Sequence, residues 1–279
     1  MGGIKLIGQH KNLMKIQKWI KNDSFPRFLI IEGIEGSGRL TFAKEIVKRL
    51  NADGIISSNS IDSVRQVISQ CYFSSFKTVY IFLNVDDMSV PAKNALLKVV
   101  EEPPNNAYFV MTTRNANEVL PTIKSRATTI QMEPYKKQDL EKFTDNKKIL
   151  DFAQVPGDCK IDVNKLNDAK DLAEKIYSVV FDKKGKGVDI LRLCTELESK
   201  KDSDDGVDVM LLHRWIKKKI AQNKYSLNPI IRNIYFENLS SIERDLNNKS
   251  INNKSAMESF LLKIFVLSNE VERNQNETN

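Results

Sequence analysis

A glycine-rich turn between a buried strand and a helix is the feature that most constrains the fold of this chain. Residues 26–31 end in a continuous apolar run, which is typical of a central parallel strand, and residues 40–50 carry a helical pattern. The glycines between them fit a G-x-x-x-x-G frame, which lets backbone N–H groups converge on phosphate oxygens at a helix N-terminus. The sequence therefore predicts a phosphate-binding loop, whose ligand-binding residues are Gly33, Gly36, Ser37, Gly38 and Arg39.

The two positions that follow this frame are unsuited to ATP hydrolysis. A working loop continues with a lysine, which contacts the β and γ phosphates, and with Ser or Thr, whose hydroxyl holds Mg²⁺. Here these positions are Arg39 and Leu40. Arginine keeps the charge but is a planar fork, and leucine cannot bind a cation. Thr41 comes one residue late, about 100° further round the helix, and is a poor substitute.

The second predicted strand, residues 78–83, lacks the acidic residues of an ATPase in the same way. An ATPase places a carboxylate pair at the end of this strand to hold Mg²⁺ and polarise water. Leu83 and Asn84 stand at those positions, whereas Asp86 and Asp87 follow beyond the strand. We interpret these two aspartates as helix-capping or surface carboxylates. Together with the altered loop, this predicts a chain that is not an ATPase by itself.

Strands and helices alternate through the first half of the chain, and helices alone follow. Apolar runs predict further strands at 108–113 and 127–132, so the first half is a parallel sheet with crossover helices, an α/β module. From residue 136 onward the apolar spacing is helical throughout. The predicted helices of this second half span 138–153, 168–182, 187–199, 206–222, 229–247 and 252–272, with a frayed polar tail from residue 272.

Composition and residue spacing argue against a membrane-spanning, a secreted or a metal-binding protein. The formal charge of +7 and the pI near 9.1 permit nucleic-acid contact, although lysines on solvated helix faces explain them equally well. No apolar stretch approaches the roughly 20 residues that span a bilayer, and the first residues lack a signal peptide's apolar core. Three scattered cysteines are typical of reduced thiols in the cytoplasm, and the two histidines have no partners at ligand spacing, so we expect no metal site.

Several motifs resemble those of clamp-loader subunits of the AAA+ class. Residues 94–104, NALLKVVEEPP, closely resemble the family's N-A-L-L-K-x-x-E-E-P-P signature. Thr112-Thr113 follows at a suitable distance, and residues 120–126, LPTIKSR, resemble the L-P-T-I-x-S-R-C element, with Ala127 in place of its cysteine. The Ile7-Gly8-Gln9 lead-in also matches. The resemblance covers residues 7 to about 132.

This resemblance implies an architecture and a role. It implies an AAA+ module over residues 1–134, a small helical lid over 135–166 and a helical collar for oligomerisation over 167–279. A degraded loop beside an intact Ser-Arg element is most similar to the delta-prime subunits of bacterial DNA polymerase III, which do not hydrolyse ATP. Arg126, with Ser125, would then be an arginine finger supplied in trans to a neighbouring ATPase subunit.

The resemblance also implies partners and cofactors. The partners would be gamma/tau-type and delta-type loader subunits in a hetero-oligomeric ring, with the sliding clamp and primed DNA reached through that complex, and no membrane. No cofactor would be required, although the glycine backbone can still hold ATP or ADP passively. The family's four-cysteine zinc module is missing, since residues 51–77 contain only Cys71.

Alternative interpretations remain open. The chain could be an active gamma/tau-like loader ATPase that uses Arg39 in place of lysine, or, less favoured, a repair or recombination AAA+ protein. Arg126 could be a structural arginine at the end of a loop. The basic stretch at residues 214–219 could contact nucleic acid, but an amphipathic collar helix with a buried tryptophan is the interpretation we favour.

Overall fold

The computed structural model describes residues 6–180, 187–198, 207–223, 229–247 and 251–277. Within them the chain forms two compact units, residues 1–160 and 161–279. The first unit contains an α/β sheet module and the short helices that follow it, and the second contains helices only. The predicted division at residues 134 and 166 stays a prediction, because contacts divide the chain into two parts rather than three.

The first unit is built on a five-stranded parallel sheet. The strand order is β2-β3-β4-β1-β5, which places β1 between β4 and β5. Its strands are β1 Phe28–Glu32, β2 Asp53–Ser57, β3 Thr78–Phe82, β4 Ala107–Thr113 and β5 Thr128–Gln131. The helices of this unit are α1 His10–Lys21, α2 Arg39–Leu50, α3 Ile61–Cys71, α4 Val90–Glu101, α5 Pro121–Lys124, α6 Lys137–Leu140 and α7 Lys147–Phe152.

Both faces of the sheet are covered, which is why its strands read as unbroken apolar runs. Successive side chains of a strand point to opposite faces. In β1, Phe28 and Ile30 therefore pack with α3 and α4, whereas Leu29 and Ile31 pack with α1 and α2. The phosphate loop leaves the carboxyl end of this central strand, whose first four residues are buried, so its position is fixed by the core on both sides.

Four of the five strands match the sequence prediction, but β2 was missed. Its residues are mostly exposed, because it is an edge strand paired only with β3. Such a strand shows neither a buried apolar run nor clean alternation. The helix predicted over 138–153 is also wrong as a single element, since α6 and α7 are separated by six residues that include Thr144 and Asn146. The side chain of Asn146 caps α7 instead of continuing α6.

The second unit is a bundle of five helices in the described residues. They are α8 Val163–Val180, α9 Gly187–Glu198, α10 Val209–Gln222, α11 Pro229–Asn247 and α12 Asn253–Glu277. One apolar core joins them, with Tyr235 and Ile264 fully buried. The expected frayed tail from residue 272 is wrong, because α12 continues to Glu277. The ends of the helices predicted to reach 182 and 199 lie outside the described residues.

No helix in the described parts of the chain is long and apolar enough to cross a membrane.

Candidate functional site

The phosphate loop adopts the backbone geometry that its glycines allow. Gly36 and Gly38 have φ angles of 75° and 86°, a left-handed region that strongly favours glycine. The first backbone N–H that bonds within α2 is that of Phe42, which donates to the Gly38 carbonyl at 2.9 Å. The N–H groups of the preceding helical residues are therefore those that a helix start leaves without an intrahelical acceptor. They lie where an anion would be held.

Arg39 occupies the position of the phosphate-binding lysine and is only 8% exposed. Its Nη1 atom has no hydrogen-bond partner among the described residues. Burial lowers the pKa of this guanidinium, and the nearby Asp86 carboxylate opposes that shift. Ser37 is buried as well, and its Oγ atom also lacks a partner. The loop thus presents two buried polar groups that have no hydrogen-bond partner in the part of the chain that the structure describes.

A cavity of about 580 Å³ opens beside the loop. It is lined by residues of the N-terminal lead-in, the loop, the ends of β3 and β4, and the segment after the sheet: Leu6, Ile7, Gly36, Gly38, Arg39, Leu40, Thr41, Leu83, Asn84, Thr112, Tyr135, Phe143, Pro156, Gly157 and Lys160. The topology thus brings together the positions that differ from those of an ATPase site, Arg39, Leu40, Leu83 and Asn84, whereas Gly33 and Ser37 are not among the lining residues.

These residues do not fit a Mg²⁺–nucleotide complex. The hydroxyl position is Leu40 and the strand-end positions are Leu83 and Asn84, and none of these side chains is a carboxylate or hydroxyl ligand. The backbone N–H of Asn84 donates to the Thr112 hydroxyl at 2.9 Å. Thr41 lines the cavity, yet no carboxylate does so among the described residues.

The interpretation of Asp86 and Asp87 as capping or surface carboxylates is wrong. The Asp86 side chain is 0% exposed and accepts a hydrogen bond from Arg114 Nε at 2.6 Å. Arg114 Nη2 pairs with Asp87. Arg114 comes directly after β4, so the order of the strands places it beside the aspartates that follow β3. The two carboxylates are thereby engaged with a protein cation instead of lining the cavity.

The segment after the sheet packs directly against the phosphate loop. Gly157 N–H donates to the Gly36 carbonyl at 3.0 Å, and the Tyr135 hydroxyl donates to the Ser37 carbonyl at 2.8 Å. A Cβ atom on Gly157 would lie 2.6 Å from the Gly36 Cα atom, so only glycine allows this approach. We call residues 135–160 the lid segment. It holds the outer, carbonyl side of the loop.

The Ser-Arg element lies on the surface and away from this cavity. Ser125 and Arg126 follow the short helix α5 and are exposed. Ser125 Oγ and Arg126 Nη1 both donate to the Thr122 carbonyl, at 3.1 and 3.2 Å. Arg126 is not among the residues that line the cavity. Its roles in this chain stay predictions, but its exposure leaves the guanidinium accessible from outside.

The basic stretch of α10 is engaged within the helical unit. Lys217 pairs with Glu243 at 2.7 Å and Lys219 with Glu174 at 2.5 Å. The Lys218 ammonium lies 4.8 Å from the centre of the Trp215 ring. These contacts favour an amphipathic helix, on which Trp215 is partly buried, over a nucleic-acid surface.

Sequence reasoning missed three residues of the cavity region. Arg114 could have been found, because an arginine directly after a buried strand faces the same sheet edge as the strand-end residues. Tyr135 and Lys160 had no signal, since they reach the loop only through the path of the lid segment. Among the described residues, no cluster of three or more His, Cys, Asp or Glu side chains could hold a metal ion.

Comparison with known proteins points to replication proteins. Residues 50–136 match the family model described as DNA polymerase III, delta subunit. Replication factor C subunit 3 of Schizosaccharomyces pombe is 28% identical over 57% of this chain and 50% of its own length. The DNA polymerase III subunit delta' of Bacillus subtilis is 32% identical over 32% of this chain and 27% of its own length. The chain spans about half the length, or less, of these curated relatives.

Solved structures agree on the fold. A single-residue variant of RuvB from Thermotoga maritima gives a TM-score of 0.51 at 11% identity, and the match covers 77% of this chain and 88% of the RuvB chain.

A DNA polymerase III gamma subunit of Buchnera aphidicola is a further sequence relative, with 24% identity over 50% of this chain and 47% of its own length. Over part of its length, the chain is therefore similar to subunits of DNA polymerase III and of replication factor C.

Proposed function

We propose that this chain is a non-hydrolysing, delta-prime-like subunit of a DNA polymerase III sliding-clamp loader. It would help to assemble the loader ring and supply Arg126 in trans to the active site of a neighbouring ATPase subunit. Its partners would be gamma/tau-type and delta-type subunits, and through them the sliding clamp and primed DNA.

One contrast carries the proposal. The chain's own cavity has Leu40, Leu83 and Asn84 where a motor holds Mg²⁺ and activates water, whereas Arg126 is exposed and lies outside that cavity. A guanidinium that contacts a neighbour's phosphates stabilises the charge of the transition state, which is worth roughly 10³ to 10⁵ in rate in well-studied cases. A chain with this contrast is suited to complete another subunit's site.

The second candidate is an active gamma/tau-like loader ATPase. It is supported by the matches to gamma and tau subunits and by the buried, positively charged Arg39 at the lysine position. It requires turnover without a magnesium hydroxyl and without strand-end acids. A repair or recombination role has only the fold likeness to RuvB in its favour.

Measuring ATP hydrolysis separates the two candidates. The purified chain is assayed alone with Mg²⁺, then with a gamma/tau-type motor subunit, a delta-type subunit, the clamp and primed DNA. We expect no turnover by the chain alone and DNA-stimulated turnover that needs the chain in the mixture. Mg²⁺-dependent hydrolysis by the isolated chain would instead favour the gamma/tau-like motor.

A further inference from the structure

Lysines line the outer side of helix α1. This helix contains four lysines and no acidic residue. An α-helix turns by about 100° per residue, so Lys11, Lys15 and Lys18 lie within about 60° of one another around its axis. All three are exposed, whereas Ile16, on the other side of the helix, is fully buried. The three lysines therefore face away from the protein core.

Helix α2 adds a second row of lysines beside the first. Lys44 and Lys48 are one turn apart and exposed, whereas Phe42 and Ile46 are fully buried. The two helices contact each other, and both contribute to the core on one face of the sheet. Their outer sides thus form one surface, which we call the basic face. It consists of Lys11, Lys15, Lys18, Lys44 and Lys48.

The basic face has little negative charge to neutralise it. None of its five lysines forms an ion pair with a carboxylate of the described residues. The acidic residue of these two helices is Glu45, which pairs with Arg49 at 2.8 Å, and Asp23 follows the end of α1. On α10, by contrast, Lys217 and Lys219 are each paired with a glutamate. Uncompensated charges of one sign on one surface attract a partner of the opposite sign.

The chemistry of the basic face favours nucleic acid over protein or membrane. The cores of protein–protein interfaces are depleted in lysine and rich in aromatic side chains. Among the residues of α1 and α2, the large apolar side chain that is exposed is Met14. A helix that binds a membrane surface buries its apolar side in the lipid, but α1 and α2 bury theirs against the sheet. Lysine rows with almost no apolar surface suit a phosphate backbone.

The spacing of the lysines also suits a phosphate backbone. At 1.5 Å per residue, Lys11 and Lys15 are about 6 Å apart along the helix axis, and Lys15 and Lys18 about 4.5 Å. Duplex DNA carries one negative charge per roughly 1.7 Å of its axis. Each ammonium group on a flexible lysine side chain therefore has several phosphates within reach.

We propose that the basic face binds the phosphate backbone of duplex DNA directly and without sequence preference. This goes beyond the proposed function, in which the chain reaches primed DNA only through other subunits. The basic face covers the opposite side of the sheet from α3 and α4, and it shares no residue with the phosphate loop or with the Ser-Arg element. Contacts to phosphates alone carry no sequence information, so binding is independent of the base sequence.

Fluorescence anisotropy of the full chain with labelled duplex DNA tests the proposal. Two duplexes of unrelated sequence should bind with affinities that agree within about twofold. Between about 50 and 200 mM salt, the logarithm of the binding constant should fall linearly with the logarithm of the salt concentration. Five neutralised phosphates give a slope of about −4 to −5, since each contributes about −0.9.

Two glutamine variants assign the binding to the basic face. Lys11→Gln, Lys15→Gln and Lys18→Gln together should weaken binding by at least about tenfold at low salt and make the slope shallower by about 2.7. Lys44→Gln with Lys48→Gln should make it shallower by about 1.8 through the other helix. Glutamine has nearly the helix propensity of lysine, and all five positions are exposed, so both variants should fold.

A matched control removes the same charge from another surface. Three exposed lysines of the lid segment are replaced together: Lys142→Gln, Lys147→Gln and Lys148→Gln. This variant loses as much net charge as the triple variant of α1. It should weaken DNA binding by less than about threefold and keep the slope, because these lysines lie outside the basic face.

Competition distinguishes DNA from an acidic protein segment. Unlabelled duplex is compared with polyglutamate at the same total concentration of negative charge. Charges are about 3.3 Å apart along an extended polypeptide and about 1.7 Å apart along a duplex. Polyglutamate should therefore displace the labelled DNA less well. Equal displacement would assign the basic face to an acidic protein partner and overturn the proposal.

Two further results would overturn the proposal. One is the absence of DNA binding at low salt with the chain at tens of micromolar. The other is a loss of affinity in the lid-segment control that equals the loss in the triple variant of α1, since binding would then follow net charge and not this surface. Both results leave the proposed loader role intact, because that role depends on Arg126 and not on these lysines.

Discussion

Gly157 donates its backbone N–H to the carbonyl oxygen of Gly36 at 3.0 Å, which joins the lid segment to the phosphate loop through backbone alone. The contact is so close that a side chain on either residue would require the neighbouring backbone to move. In this chain the loop is therefore held from outside by the lid segment, independently of any ligand inside.

Gly157→Ala should break this contact. Its Cβ would lie 2.6 Å from the Gly36 Cα, which is backbone and cannot rotate away. We expect the free energy of unfolding of the first unit to fall by about 1–3 kcal/mol, as for other overpacked sites, with faster hydrogen exchange at the lid amides. Urea denaturation measures the first effect. Lys148→Ala, on the exposed face of α7, is the control and should change the free energy of unfolding little. An equally small change for Gly157→Ala would contradict the close contact between Gly157 and Gly36.

Arg114→Met should destabilise the first unit. It leaves Asp86, whose side chain is 0% exposed, without its hydrogen-bond partner. We expect a loss of about 3 kcal/mol in the free energy of unfolding, near the lower end for a broken buried pair, because Arg39 lies near the same carboxylate. Arg114→Lys should recover part of the loss. A loss below about 1 kcal/mol in the methionine variant would contradict the pairing.

The burial of His213 predicts that the stability of the second unit depends on pH. Burial lowers the pKa of this histidine from 6.5 to about 4, against a raising effect of Glu243 and with a lowering effect of Lys217. The unfolded chain therefore binds a proton between pH 6.5 and 4 that the folded chain does not. Stability is full above the unfolded value and falls as the pH is lowered through this window, by up to about 3 kcal/mol.

Comparing two histidine variants isolates that contribution. His213→Phe should flatten the part of the stability–pH curve between pH 6.5 and 4, since it removes the group that titrates. His10→Ala, at the exposed start of α1, should leave the curve unchanged. Chemical denaturation of both variants at several pH values measures the slopes, and identical slopes would refute the assignment.

Restoring the loop alone should not restore hydrolysis. Arg39→Lys with Leu40→Ser returns the lysine and the magnesium hydroxyl, yet Leu83 and Asn84 still provide no strand-end carboxylates. We expect no Mg²⁺-dependent ATPase from this double variant. Turnover in it would mean that the strand-end acids are dispensable.

The parts of the fold that were predictable are those that the core dictates. Buried strands such as Phe28–Glu32 are apolar on both faces, and α4 begins at the Ser89 cap and ends before Pro103, so both can be read from local pattern. The edge strand β2 is mostly exposed and has no such pattern.

The site was predictable only where its residues are close in the chain. The loop geometry follows from Gly36 and Gly38, whereas the Arg114 ion pairs and the Tyr135 hydrogen bond join segments that are 27 or more residues apart. Composition and spacing do not determine such contacts. The capping interpretation of Asp86 failed for this reason, because its partner comes from another strand.

Arg126 is the residue at which the proposed completion of a neighbour's active site is tested most directly. The measurement is DNA-stimulated ATP hydrolysis by a reconstituted loader whose one functional motor site is adjacent to this chain. Lys124→Ala, exposed at the end of the short helix that precedes Arg126, is the control and should retain the rate. We expect a fall of about 10³-fold or more for Arg126→Ala. A rate equal to that of the unmodified complex would contradict it.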